Sequence, residues 1–376
     1  MHHRIKPLLL AVLAACASVA KAESTPESMF RFSGFGTVGA VHSSEKNADF
    51  VSSFFFQPKG AGLTQAVSTS VDSRLGGQVT ASFTKEISAV VQLVSEQQWD
   101  NSWTPVVEWA NVKYAFTPDL SVRVGRVLLP TYMASESRKV GYTNPWIRPP
   151  VEVYNLMGIT SNDGIDATYG FHVGSVKHTV SALAGKSKVM TSSGAEADLT
   201  PIYGISDMVE YGAFSARASY QTMKLQMPAL TAYNAFGCSS CEVDLPVKIA
   251  NIGATYDQGD WFVTSEWARI WLTKGSFEVA GVKTSAYVTA GYRFGKFTPY
   301  LGYSQVEQTV SPALGGDIAQ KTVSAGLRWD FMKGTDFKLQ FDRVSPGSGS
   351  TGYFINSNGT PIGSTSVISA AVDFVF

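Results

Sequence analysis

Residues 71–83 read VDSRLGGQVTASF, and the two faces of this segment differ: Val71, Leu75, Val79 and Phe83 share one parity, while Asp72, Arg74, Gln78, Thr80 and Ser82 share the other. A β-strand sends successive side chains to opposite faces, so this one has an oily side and a wet side. The pattern recurs in segments of roughly ten residues from Phe30 to Phe376, joined by connectors that are short and long in turn. That is the sequence form of an all-β fold, a transmembrane antiparallel β-barrel whose strands face lipid outside and a lumen inside.

The alternation places strands at 30–41, 71–83, 87–98, 106–116, 120–129, 164–173, 176–187, 202–211, 214–226, 248–257, 261–272, 284–294, 297–308, 320–331, 337–344 and 365–376, sixteen in all. Seven connectors are tight turns: 84–86, 117–119, 174–175, 212–213, 258–260, 295–296 and 333–336. The intervening stretches, such as 42–70, 228–247 and 345–364, are longer and rich in Gly, Ser and Pro, as extracellular loops are. An even strand number brings both chain ends to one edge, where the first and last strands can pair and close the sheet.

The N-terminus addresses the chain. Arg4 and Lys6 precede an apolar run from Pro7 to Ala20, and Ala20-Lys21-Ala22 fits a signal-peptidase site, so residues 1–22 are expected to be a secretory signal and 23–376 the barrel domain. A competing reading takes Leu13-Ala14-Ala15-Cys16 as a lipobox, but cleavage there leaves an apolar core of about eight residues. Removing residues 1–22 takes Arg4, Lys6 and Lys21 from 30 basic residues and nothing from 30 acidic ones, leaving an excess of three acidic charges. A nucleic-acid partner is not suggested. Only 44% of residues are hydrophobic, while aromatics reach 12% and glycines number 34, which suits a barrel and not a helical membrane protein.

A soluble sandwich or propeller would also alternate. Against it stand aromatic pairs near strand ends, Trp99 and Trp103, Tyr114 and Phe116, Tyr292 and Phe294, Trp329 and Phe331, as in interfacial girdles. Charges in the last strands, Arg328, Asp330, Lys338 and Asp342, keep to the parity opposite Leu327, Trp329, Leu339 and Phe341.

The opening Phe30-Arg31-Phe32-Ser33-Gly34-Phe35-Gly36, the Asp72-Ser73-Arg74-Leu75-Gly76 strand, Val124-Gly125-Arg126, Asp163-Gly164-Ile165 and the terminal Phe376 together give the chain its resemblance to the Gram-negative general porins. The resemblance spans the whole mature chain. It implies a sixteen-stranded outer-membrane diffusion channel, a homotrimer with a water-filled pore in each subunit, and a third loop folded into the lumen. It also implies contact with outer-membrane lipid and lipopolysaccharide, passage of small hydrophilic solutes, and terminal Phe376 as the signal read by the barrel-insertion machinery.

Residues 130–163 would be the constriction loop, stiffened by four prolines, with Tyr132, Tyr142, Trp146 and Tyr154 available to pin it to the wall. Non-helical backbone at membrane depth is tolerated where it lines a watery cavity. Its Glu136, Glu152 and Asp163 balance Arg138, Lys139 and Arg148. Arg74 and Arg123 have inward parity, Arg126 follows where the alternation slips, and these arginines facing loop carboxylates would set a transverse field across the pore. Arg31, Arg217, Arg293 and Arg328 also have inward parity, nearer the periplasmic rim.

Cys238-Ser239-Ser240-Cys241 lies in a loop without the helix start of a redox motif or the further ligands of a zinc site, so a small disulfide between Cys238 and Cys241 is expected. Neither a metal nor another cofactor is expected, because His42, His172 and His178 are scattered. No nucleophile–base pattern marks an enzyme, and loops of this length do not suggest an adhesin. The reading is passive diffusion. A substrate-selective porin, binding an aromatic, sugar or organic-acid ligand at the constriction, is the alternative.

Overall fold

The computed structural model describes residues 28–192, 194–227, 243–272, 281–309 and 318–376. Among them, sixteen long strands form one closed antiparallel sheet. They are β1 Phe30–Ser43, β2 Arg74–Ser82, β3 Ile87–Glu96, β4 Val106–Ala115, β5 Leu120–Leu128, β6 Ser161–Val173, β7 Val176–Met190 and β8 Glu196–Tyr211. Then follow β9 Phe214–Met227, β10 Val243–Asp257, β11 Trp261–Leu272, β12 Val282–Tyr292, β13 Phe297–Thr309, β14 Ile318–Met332, β15 Thr335–Pro346 and β16 Thr365–Val375. Every strand pairs with its neighbours in sequence, and β1 closes the ring by pairing with β2 over residues 30–37 and with β16 over residues 35–43.

The turns at one end form for local reasons. In 84–86 and 117–119 the hydroxyls of Thr84 and Thr117 accept the backbone N–H groups of the two residues that reverse the chain, Glu86 and Ile87 in one case and Asp119 and Leu120 in the other. The strands run further at the opposite end than their apolar alternation does: β7 continues to Met190 and β8 begins at Glu196, where Lys188 pairs with Glu196 and Asp198. Register shifts at Gly185–Ser187 and Leu199–Ile202 break the period of two there, while the hydrogen-bond ladder continues past them. The one strand that starts late is β2. Val71 is buried under the first loop and Asp72 is taken up by an ion pair, so Val71–Ser73 belong to the loop.

The molecule is inside out relative to a water-soluble fold. Val38, Leu75, Val112, Val124, Ile165, Ile205, Leu301, Val323 and Ile368 are exposed on the outer wall, while Gln92, Asn111, Asp166, Gln221, Asn251, Glu266, Ser304, Gln340 and Asp342 are buried inside. No helix among the described residues is long and apolar enough to cross a membrane; the strands do the crossing. Ring pairs Tyr114–Phe116, Tyr292–Phe294, Trp329–Phe331 and Tyr169–Phe171, with centroids 4.5 to 5.7 Å apart, collect beside the short turns as an interfacial girdle.

Much of the interior is filled by the segment between β5 and β6. It holds a 3₁₀ turn, Gly141–Thr143, and one helical turn, Val151–Tyr154. Its Leu129, Tyr132, Trp146, Val153, Tyr154, Leu156 and Met157 pack against inward residues of β7 to β13, among them Leu183, Ile202, Met223, Ile249, Tyr287 and Tyr300. The third loop is thus folded into the lumen.

Candidate functional site

The wall holds the third loop at many places, five of them involving charged groups on one side of the lumen, beside neutral bonds such as Ser219 to the Thr131 carbonyl and the Ile147 N–H to Gln340. Arg217 on β9 pairs with Glu136 at 2.6 Å and donates to the Tyr132 carbonyl. Glu266 on β11 accepts from the Met133 N–H, the Tyr154 hydroxyl and the Tyr287 hydroxyl. Glu152 accepts from Ser304, Gln320 and Thr322 on β13 and β14. Arg328 on β14 and Lys338 on β15 donate to the carbonyls of Tyr142, Asn144 and Gly141. Arg148 is clamped between Asp72 and Asp342, at 2.5 and 3.0 Å, and donates to the Ser369 hydroxyl. Burial disfavours its charge, but Asp72 and Asp342 outweigh that and hold its pKa above the ordinary arginine value. Burial likewise pushes the Tyr132 and Tyr154 hydroxyls upward, so both remain neutral, Tyr154 donating to Glu266 and Tyr132 accepting the Met157 N–H.

Apart from Asp72, which precedes β2 at its loop end, these anchors lie on β9, β11 and β13 to β16. The loop is therefore drawn to that side, and space remains between it and the wall of β2 to β4. A cavity of about 350 Å³ occupies it, bordered by Arg74, Glu96, Trp99, Glu108, Arg138, Lys139 and Tyr154. Lys139 reaches across from the loop to Glu96 at 2.7 Å and Glu108 at 2.8 Å. Burial opposes that ammonium, but Glu108 and Glu96 keep its pKa above the ordinary lysine value. Arg74 lies 3.8 Å from Glu96. The first loop roofs the cavity with Ser52, Ser53, Phe56 and Gln57. It crosses the opening far enough for the Phe55 carbonyl to accept the N–H of Ser192 at the β7–β8 connection.

Of the residues singled out in the sequence, Arg74, Arg138 and Lys139 converge on this cavity, and Arg148 borders it from its buried clamp. Arg126 and Asp163 pair at 2.7 Å across β5 and β6 at its rim, on the parity of the exposed Val124 and Ile165. Gly125 before Arg126 has φ of 126°, yet β5 keeps register with β4 and β6 through it, so the alternation does not slip at Arg126 as the sequence suggested. Arg123 is elsewhere: it is tied to the buried Asp166, three residues from the start of β5, and does not line the cavity. Glu152 is buried against the wall behind the loop, and Glu136 pairs with Arg217 with half of its side chain exposed; neither lines this cavity. Loop cations therefore face wall carboxylates here, the reverse of basic wall and acidic loop. Arg31 is exposed near the start of β1, and Arg293 pairs with Asp257 beside a short turn. Cys238, Cys241 and the expected signal segment 1–22 lie outside the described residues.

Two residues of the site were not singled out in the sequence. Glu96 shares parity with the inward Gln92 and was legible by counting. Glu108 was harder, because it is the extra residue where β3–β4 pairing slips between Gln92–Trp109 and Leu93–Val107. Among the described residues no group of His, Cys, Asp and Glu could hold a metal. His178 pairs with Asp207 at 2.8 Å and stacks on Phe171 on the outer parity, with no hydroxyl or thiol hydrogen-bonded to it.

Comparison with solved structures gives the same architecture. Outer-membrane porin OmpF of Salmonella typhi, in complex with daunomycin, aligns over 92% of this chain and 97% of its own at 14% identity, with a TM-score of 0.60. An anion-selective porin from Comamonas acidovorans aligns over 92% and 100% at 14% identity and a TM-score of 0.59. The trimer form of OmpT from Vibrio cholerae aligns over 93% and 100% at 12% identity and a TM-score of 0.57. At such identities these likenesses establish the fold alone. No curated protein matches the sequence. The family model for Gram-negative porins, however, matches residues 9–346, most of the chain, and with the closed barrel and infolded third loop it places this protein in the Gram-negative porin family of the outer membrane.

Proposed function

We propose that this outer-membrane channel passes small hydrophilic solutes and ions passively, and that Arg74, Arg138, Lys139, Glu96 and Glu108 form its charged constriction. The observation that carries the reading is the one-sided anchoring of the third loop, which leaves a charge-lined space against β2 to β4. Fixed charges of both signs across a narrow opening order water and sort solutes by charge without chemistry. The proposal includes no catalytic step and no cofactor. It includes removal of residues 1–22 on export, insertion directed by Phe376, a Cys238–Cys241 disulfide, and a homotrimer embedded in lipid and lipopolysaccharide. The trimer form of the Vibrio cholerae neighbour supports that assembly.

The test is electrical. Purified folded protein added to planar lipid bilayers is expected to give discrete steps of ion current, with a reversal potential in a salt gradient that shifts as salt is diluted. Folded protein that inserts but never conducts would sink the channel reading.

A further inference from the structure

Charges around the cavity are unequally matched. Lys139 is shared by Glu96 and Glu108, and Glu108 also accepts the Thr160 hydroxyl. Arg126 has Asp163, Arg148 has Asp72 and Asp342, and Lys188 has Glu196 and Asp198. Arg74 stands 3.8 Å from Glu96, beyond hydrogen-bond length. Arg138 is the exception: among the described residues no carboxylate lies within ion-pair reach of it. Its terminal nitrogens donate to the carbonyls of Tyr154 at 2.9 Å and Met157 at 3.3 Å, and its guanidinium lies 5.4 Å from the centre of the Tyr154 ring.

Carbonyl dipoles and a ring face steady a guanidinium without neutralising it, and two such bonds leave part of its five-donor fork unused. Burial draws the Arg138 pKa below the ordinary arginine value, as befits a half-buried cation short of counter-charge. Arg148 and Lys188 each have one carboxylate to spare within their own clusters, but of the five charges at the opening itself Arg74, Arg138 and Lys139 outnumber Glu96 and Glu108 by one. One carboxylate would cancel it, and a second would meet the two glutamates unopposed. Next to these charges the cavity offers apolar surface, Phe56 from the first loop and Trp99 from the connection after β3. A volume of about 350 Å³ suits a small molecule.

We propose that the constriction is a solute-binding subsite for a small organic monocarboxylate: Arg138, backed by Arg74, takes the carboxylate, and Phe56 and Trp99 take an apolar body. The proposal rests on the channel reading above and adds the substrate class. Binding must be weak, because a conducting site has to release what it holds.

Benzoate serves as the probe and benzamide as its neutral counterpart. In bilayers carrying potassium chloride current, benzoate is expected to reduce wild-type current saturably, and benzamide at the same concentration is not. Arg138→Gln is expected to raise the half-blocking benzoate concentration about tenfold or more, the loss of a charge-assisted hydrogen-bonded contact. Trp99→Ala is expected to weaken block by benzoate and leave block by acetate, which has no ring, unchanged. If chloride current flows and benzoate behaves as benzamide does, the subsite is wrong while the channel stands. If folded protein carries no current at all, the channel reading itself fails. The wild-type comparison needs no variant, so a misfolded Arg138→Gln does not remove the test. Equal benzoate block in a folded Arg138→Gln channel would overturn the assignment to Arg138.

Discussion

Lys139 is the cation that ties the free side of the third loop to the opposite wall, beside the Thr160 hydroxyl bonded to Glu108, and its removal separates two roles that the other anchors combine. Lys139→Met leaves Glu96 and Glu108 near one another without their shared cation. Breaking a buried pair in this way costs about 3–5 kcal/mol, and the lower end applies here because Glu96 remains partly exposed to the cavity. Since the loop keeps its bonds to β9, β11 and β13 to β16, the expected result is not an unfolded barrel but a noisier, larger single-channel current. A channel indistinguishable from wild type in conductance and noise would show that Lys139 does not brace the loop. The pH dependence has a definite sign. The folded pKa lies above the ordinary lysine value of 10.5, so the stabilisation is fully present below 10.5 and is lost only as pH rises through the higher folded value. Wild-type conductance is therefore expected to show no loosening by loss of the Lys139 charge from neutral pH up to 10.5, with noise growing only at more alkaline pH, and Lys139→Met to lack that alkaline change.

Among the elements, the seam between β1 and β16 is where the barrel closes, and it is built from glycine against phenylalanine. Phe376 exchanges backbone hydrogen bonds of 2.8 and 3.0 Å with Gly34. Its ring covers Gly34 and the ring of Phe374 covers Gly36; a Cβ on either glycine would stand 2.3 Å from ring carbon. Deleting Phe376 removes two hydrogen bonds, each worth about 1 kcal/mol net, and uncovers one glycine. The finished barrel is expected to lose little, while the fraction reaching the outer membrane falls and periplasmic misfolded protein rises, measured by fractionation and gel shift. Undiminished insertion at high expression would remove Phe376 from the assembly signal. The strands on either side of this seam were legible because lipid on one face and water on the other impose a period of two. The outer ends of β7 and β8 were not, because register shifts at Gly185–Ser187 and Leu199–Ile202 interrupt the period, and beyond them Lys188, Glu196 and Asp198 share one face while Val189, Ala197 and Leu199 are packed on the other. The third loop has no period at all. That Glu136 and Glu152 turn to the wall follows from Arg217, Ser304, Gln320 and Thr322, partners far along the chain, which no local pattern announces.

For the whole molecule, an exposed apolar face outside and a buried polar network inside mean that hydrophobic burial is completed by lipid and not by a core alone. Leu301 tests this directly. It lies on β13, is 66% exposed, and stands in register with Ala290 and Ala325 on the neighbouring strands, so nothing on the barrel itself covers it. Its side chain is near mid-depth, since β13 starts at Phe297 beside the periplasmic girdle and each tilted residue climbs only about 2–3 Å. A basic residue at the midplane of an outer-membrane barrel costs roughly 2–4 kcal/mol, and far less near the interfaces. Leu301→Arg is therefore expected to lower the stability of the lipid-refolded barrel by that amount, read as a shift in the urea midpoint of its heat-modifiable gel band. Phe297→Arg, at the girdle, is expected to cost markedly less. A Leu301→Arg barrel that refolds as stably as wild type would mean that this wall meets another subunit or water and not lipid, and the trimer's interface would then have to be sought around β13.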